Sequence, residues 1–205
     1  MRLLEIAAHH EAWPLREAFT ISRGTKTAAD VVIVSVREGG YAGHGEAVPY
    51  GRYGETVESV LAAIANSAGE LRQGRPPQAI LVPGAALNAI DCALWDLEAK
   101  RTATPAYILA GVSAPTPLVT AFTLSLASPD AMAAKARAVP DLPLLKLKLG
   151  GTGDDARMRA VRAARTDARL IADANEAWNA EMLVPFRGSA TPSAWSEIFC
   201  PSSVV

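Results

Sequence analysis

The segment Leu144-Leu-Lys-Leu-Lys-Leu149 constrains the fold more than any other stretch of the chain. Its strict two-residue alternation demands a strand and puts Lys146 and Lys148 on one face, opposite the leucines. A second short apolar run, residues 169–172, leads directly into Asp173. One helical segment, residues 154–165, separates the two, with acids at its start and bases at its end to match the helix dipole. Strand, helix, strand is the repeating unit of a parallel sheet with right-handed crossovers. In a parallel α/β barrel the C-terminal ends of the strands converge on one face, and chemistry sits there. Two lysines and a carboxylate at that face suit metal-assisted abstraction of a proton next to a carboxylate.

The same rhythm sets the boundaries of the rest. Residues 1–8, 31–38 and 41–47 read as strands of an antiparallel sheet, with Gly39-Gly40 as a turn. Residues 13–29 form a long polar stretch around Arg23-Gly24, and 48–54 form a second irregular segment. A polar stretch of that length predicts a lid or binding loop. Helices are expected over 55–73, 85–100 and 105–110, the second with Leu87, Ile90, Ala93, Leu94 and Leu97 as its apolar stripe, which also places Trp95 in the core. Residues 113–117 read as a boundary. Beyond it come a strand at 119–126, a helix at 129–139 capped by Ser128, the two strands described above, and a helix at 179–186. The expected architecture is therefore an α+β domain over residues 1–115 and the first three βα units of a (β/α) barrel over 116–186. Residues 187–205 are rich in Ser, Pro and Thr and match neither period, so an aberrant, frameshifted or disordered tail is expected there. Three units cannot close a barrel of eight and would leave an open edge.

Composition narrows the function classes. Among the 205 residues, 20 are basic and 21 acidic, so no charge excess favours nucleic acid or a membrane surface. Cys92 and Cys200 are too few for a disulfide framework and lack metal-ligand spacing, which fits a reducing cytoplasm. No apolar run reaches the roughly 18 residues that span a bilayer, and no leader pattern opens the chain. His9, His10 and His44 show no ligand spacing, and Gly150, Gly151 and Gly153 read as a turn rather than a phosphate cradle.

Five segments in order carry a resemblance. They are Phe19-Thr-Ile-Ser-Arg-Gly24, Gly43-His-Gly-Glu-Ala-Val-Pro-Tyr-Gly-Arg-Tyr-Gly-Glu55, Asn88-Ala-Ile-Asp-Cys-Ala-Leu-Trp-Asp-Leu97, Lys146-Leu-Lys148 and Asp173-Ala-Asn175. Residues 1 to about 186 thereby resemble the enolase superfamily, and within it the dipeptide epimerases of the muconate-lactonizing subgroup. The resemblance implies a capping domain with two loops over a modified barrel. It implies Lys148 as the base that removes a substrate α-proton, helped by the repulsion of its neighbour Lys146, which would also contact the substrate carboxylate. Asp173 would be a Mg²⁺ ligand and Asn175 a group behind it. Arg23 would pair with the side-chain carboxylate of an Ala-Glu dipeptide, with Arg52 and Tyr53 as further binding residues.

The resemblance also implies parts that this sequence lacks. Two more metal-ligand acids and a second lysine should follow on later strands, because inverting one carbon takes a base on each face. Glu197 is the one acid after Glu181, and its surroundings do not match the expected Glu-Gln-Pro. The expectation is a parent enzyme of cell-wall peptide recycling, homo-oligomeric in intact relatives, and a 205-residue product that is inactive. A cycloisomerase of muconate type or an o-succinylbenzoate synthase is the alternative enzyme. A non-catalytic fragment, or a capping domain serving as an interaction module, is the alternative of another class.

Overall fold

The structure is a computed structural model and describes residues 4–179 and 197–199. The chain divides into two compact units. One comprises the chain up to Pro14 together with Ala28–Thr116; the other comprises Leu15–Thr27 and the chain from Pro117 onward.

The first sheet has strands in the order β1 (Glu5–Ile21), β2 (Gly24–Glu38) and β3 (Tyr41–Ala47). β2 and β3 pair antiparallel from Val32 opposite Ala47 to Glu38 opposite Tyr41, and both turn residues, Gly39 and Gly40, take positive φ. The polar stretch 13–29 departs from expectation. It is a continuous ribbon, because β1 and β2 run through it and leave only Ser22 and Arg23 as the turn. Most of β1 from Glu11 onward is exposed, so no apolar face marks it as a strand in the sequence.

Behind the sheet lie α1 (Val57–Arg72) and α2 (Ala85–Thr102), followed by the short α3 (Ala106–Leu109). Thr56 starts α1 with a reciprocal cap: its side chain accepts from Ser59 N–H, and its own N–H donates to the Ser59 hydroxyl. Val32, Val34 and Val36 meet Val60, Ile64, Ile90, Ala93 and Leu97 in one apolar core. α2 lies unusually close to β3. A Cβ on Gly43 would fall 2.1 Å from the Ala93 carbonyl oxygen, and one on Gly45 2.1 Å from that of Ala89. Tyr41–Ala47 is the expected returning strand, here packed on a helix, and the irregular segment expected at 48–54 follows it. Trp95 is 41% exposed, against the expectation of a core residue.

The second sheet is parallel throughout, in the order β4 (Phe122–Leu124), β5 (Leu144–Lys148), β6 (Arg169–Asp173) and β7 (Glu197–Phe199). α4 (Pro129–Arg137) links β4 to β5, and α5 (Asp154–Ala164) links β5 to β6. Ser128 caps α4 by accepting from Ala131 N–H. Leu124, Leu145, Leu147, Leu149 and Leu170 bury one sheet face against Met132, Ala136, Met158 and Val161 of the helices. Periodicity shows three strands of this sheet; Glu197–Phe199 adds a fourth. The helix expected at 179–186 and the rest of the expected tail lie outside the described residues, apart from Asn179. No described helix is long and apolar enough to cross a membrane.

Candidate active site

β5 owes its position to its leucines. With Leu145 and Leu147 fully buried against the helices, the pleat sends Lys146 and Lys148 to the opposite face. Parallel pairing then fixes their neighbour, since Lys148 stands opposite Asp173 and Lys146 opposite Ile171. Lys148 Nζ donates to Asp173 Oδ2 at 2.7 Å, and Lys146 Nζ lies 2.9 Å from the same oxygen. The Lys148 side chain is 13% exposed, the Lys146 side chain 31% and the Asp173 side chain 6%.

Asp173 is the electrostatic centre of this group. Burial pushes its carboxyl up, but hydrogen bonds from Lys148, Lys146 and the Asn175 N–H outweigh that and hold it below the ordinary carboxylate range. The sequence alone suggests repulsion between the two lysines. In the structure the carboxylate of Asp173 bridges both ammonium groups and offsets that repulsion.

Asn175 lies just beyond the strand end, and its N–H donates to Asp173 Oδ1 at 3.0 Å. Asn175 and Glu176 both take positive φ, 48° and 66°, so the chain turns sharply here. The tip of the β1–β2 ribbon meets this turn. The Ser22 hydroxyl donates to the Asn175 carbonyl at 3.0 Å, and Arg23 Nη1 lies 3.5 Å from Glu176 Oε2. Close to the tip, two residues before Ser22, the ribbon is also held by Leu126 N–H donating to the Thr20 carbonyl. The structure therefore brings Arg23, Asn175, Asp173, Lys146 and Lys148 into one unit. Ser22 and Glu176 belong to the same group and were not singled out from the sequence, although Ser22 lies within the segment 19–24 that carries the resemblance and Glu176 directly follows Asp173-Ala-Asn175. Arg52 and Tyr53 belong to the other unit, on a 3₁₀ turn (Gly51–Tyr53); Tyr53 is 76% exposed, with its ring 5.6 Å from that of Tyr50.

A hard divalent cation takes about six oxygen ligands. Asp173 is one donor of the right kind, and Asn175 Oδ1 is a buried oxygen with no hydrogen-bond partner among the described residues. Among those residues, however, no three His, Cys, Asp or Glu side chains gather as a metal site. The described donor set therefore does not fit a resident Mg²⁺ by itself.

Residues 3–111 match the mandelate racemase / muconate lactonizing enzyme N-terminal domain. The L-Ala-D/L-Glu epimerase of Escherichia coli K12 is 44% identical over 183 residues, which cover 87% of this chain and 57% of that protein. The structure of an enolase family member from Agrobacterium tumefaciens, with homology to dipeptide epimerases and with bound sodium and L-Ala-L-Glu, superposes with a TM-score of 0.88 at 47% identity. It is covered to 61% by 95% of this chain. A dipeptide epimerase from Enterococcus faecalis, complexed with Mg and L-Leu-L-Tyr, gives a TM-score of 0.76 at 31% identity, over 90% of this chain and 57% of that one. The chain thus spans about three fifths of the length of these relatives. Its N-terminal domain match, the ordered sheets and these relatives together place the chain in the mandelate racemase / muconate lactonizing enzyme family of the enolase superfamily, among the dipeptide epimerase type.

Proposed function

We propose that the chain carries the first half of a dipeptide epimerase site, with an Ala-Glu dipeptide as the substrate of the completed enzyme. The observation that carries this reading is the convergence of Lys146 and Lys148 on one oxygen of Asp173 at the C-terminal ends of neighbouring parallel strands. Lys148, the more buried lysine, is the base that takes the α-proton from one face. Its Nζ must release Asp173 and a proton before it can accept another. Lys146 remains an ammonium and binds the substrate carboxylate. Arg23 holds the carboxylate of the substrate side chain through paired N–H donors, a role in which it must give up its ion pair with Glu176. Arg52 and Tyr53 are the weaker members of the binding set.

Asp173 is the one acid among the described residues placed to ligate the Mg²⁺ that the family chemistry calls for, with Asn175 behind it. No further acids gather with it as a metal site among the described residues, and no lysine follows Lys148 in the sequence. A half-site with one base can strip a proton but cannot return it to the other face. The 205 residues alone therefore do not epimerise a dipeptide. Incubating the purified chain with L-Ala-L-Glu and Mg²⁺ in D₂O, followed by proton NMR, is expected to yield no L-Ala-D-Glu. Metal-dependent appearance of that product would show that the site is complete and the half-site reading wrong.

A further inference from the structure

Loops follow the C-terminal ends of β4, β5 and β6, and one buried ion pair reaches all three. Asp154, the first residue of α5, is 3% exposed. Its Oδ2 accepts from Gly150 N–H at 3.1 Å, Gly151 N–H at 2.7 Å and the Trp178 indole N–H at 2.7 Å. Its Oδ1 accepts from Gly150 N–H at 3.2 Å and from Arg157 Nη1 at 3.0 Å. Arg157 also donates to the Thr152 carbonyl at 2.9 Å and, through Nε, to the Ala127 carbonyl at 2.8 Å. Gly150 lies flush with the loop after β4, where a Cβ would fall 2.7 Å from Leu126 Cδ2.

An acid at a helix start ordinarily accepts from its own helix's free N–H groups. Asp154 does not. Its bonds run back to the loop after β5 and across to Trp178, which lies beyond β6. A buried carboxylate is expensive unless it is paired and hydrogen-bonded, and Arg157 together with three N–H donors meets that need. The indole bond is a direct side-chain link between the loop that follows Lys148 and the loop that follows Asp173.

We propose that Asp154 is a positioning residue. Through Trp178 it sets the segment after Asp173 against the turn after Lys148, so that the carboxylate keeps its place beside the ammonium. Its purpose rests on the half-site reading above; the coupling itself is measurable without substrate.

The test is amide hydrogen exchange by NMR on the 205-residue chain and two variants. Trp178→Phe removes only the indole donor and keeps a ring against the apolar core. Asp154→Asn puts an NH₂ group among N–H donors. The reporter is the Asn175 amide, which donates to Asp173 Oδ1. In Trp178→Phe its exchange is expected to rise about tenfold, the loss of one charge-assisted hydrogen bond. The Leu149 amide, held by the Asp173 backbone carbonyl, is expected to stay unchanged, and the Asp173 carboxyl carbon to shift. In Asp154→Asn the Gly150, Gly151 and Asn175 amides are expected to speed up together. An unchanged Asn175 amide in Trp178→Phe overturns the proposal. So does an Asp154→Asn effect confined to the two glycines, or a uniform rise that includes Leu149 and marks a general loss of stability. If Asp154→Asn does not fold, Trp178→Phe decides alone. A wrong functional reading would appear separately, in the epimerisation assay, and leave these exchange rates as they are.

Discussion

At Asp173 burial opposes ionisation, and two ammonium groups with one N–H favour it more strongly. Its folded-state value lies below the ordinary one, so the stability it contributes is present above the ordinary carboxylate pKa and disappears as pH falls through the lowered value. Asp173→Asn leaves Lys146 and Lys148 facing each other without a counter-charge. The expected loss is about 2 kcal/mol at neutral pH, moderate because both lysines keep some contact with water. Urea unfolding at pH 7 and at pH 3 checks this: the gap between variant and parent should narrow in acid, and a gap that widens would contradict it. Lys146, Lys148 and Asp173 were legible because two-residue alternation assigns faces and a short apolar run marks the strand end. Arg23 was legible as a residue but not as a turn, since the ribbon that carries it has no apolar face. Asp154 passed as a helix-dipole acid, because its partner Trp178 comes from a segment that local pattern cannot bring to it.

The elements of the first unit depend on one close approach. β3 meets α2 through Gly43 and Gly45 on the strand and Ala89 and Ala93 on the helix, all without side chains beyond Cβ. Gly45→Ala would drive a methyl group into helix backbone that has no room to move. The expected cost is about 3 kcal/mol or more, seen as a lowered midpoint in thermal unfolding followed by circular dichroism. A change below about 0.5 kcal/mol would mean that α2 can shift away freely. The sequence announced α1, α2 and the Gly39-Gly40 hairpin through periodicity, capping and turn chemistry. It did not announce that the alternate glycines 43 and 45 of this strand pack against a helix, because glycine carries no hydrophobic signal. The strand at Glu197–Phe199 was hidden for a different reason. A three-residue strand is too short to show a period, and its pairing with β6 is wholly non-local.

On the scale of the whole molecule, four parallel strands present their C-terminal ends as part of a barrel rim, where a closed barrel has eight. On the half-site reading proposed above, the groups gathered there are a base, Lys148, a metal-ligating carboxylate, Asp173, and, from the ribbon, an arginine for the substrate, Arg23. A joined protein, in which residues 1–179 of this chain lead into the C-terminal part of the E. coli L-Ala-D/L-Glu epimerase, supplies what the half-site lacks. In that protein Arg23→Met is expected to raise KM for L-Ala-L-Glu about tenfold or more, with little effect on a dipeptide without the side-chain carboxylate. Equal loss on both dipeptides would assign Arg23 to the fold of the ribbon instead.

The most direct measurement of the central claim is epimerisation of L-Ala-L-Glu in D₂O by that joined protein and by its Lys148→Ala variant. The joined protein is expected to form L-Ala-D-Glu carrying deuterium at the glutamyl α-carbon, and Lys148→Ala to abolish turnover. A Lys148→Ala variant as active as its parent, or a folded joined protein that neither exchanges nor epimerises, would contradict the claim.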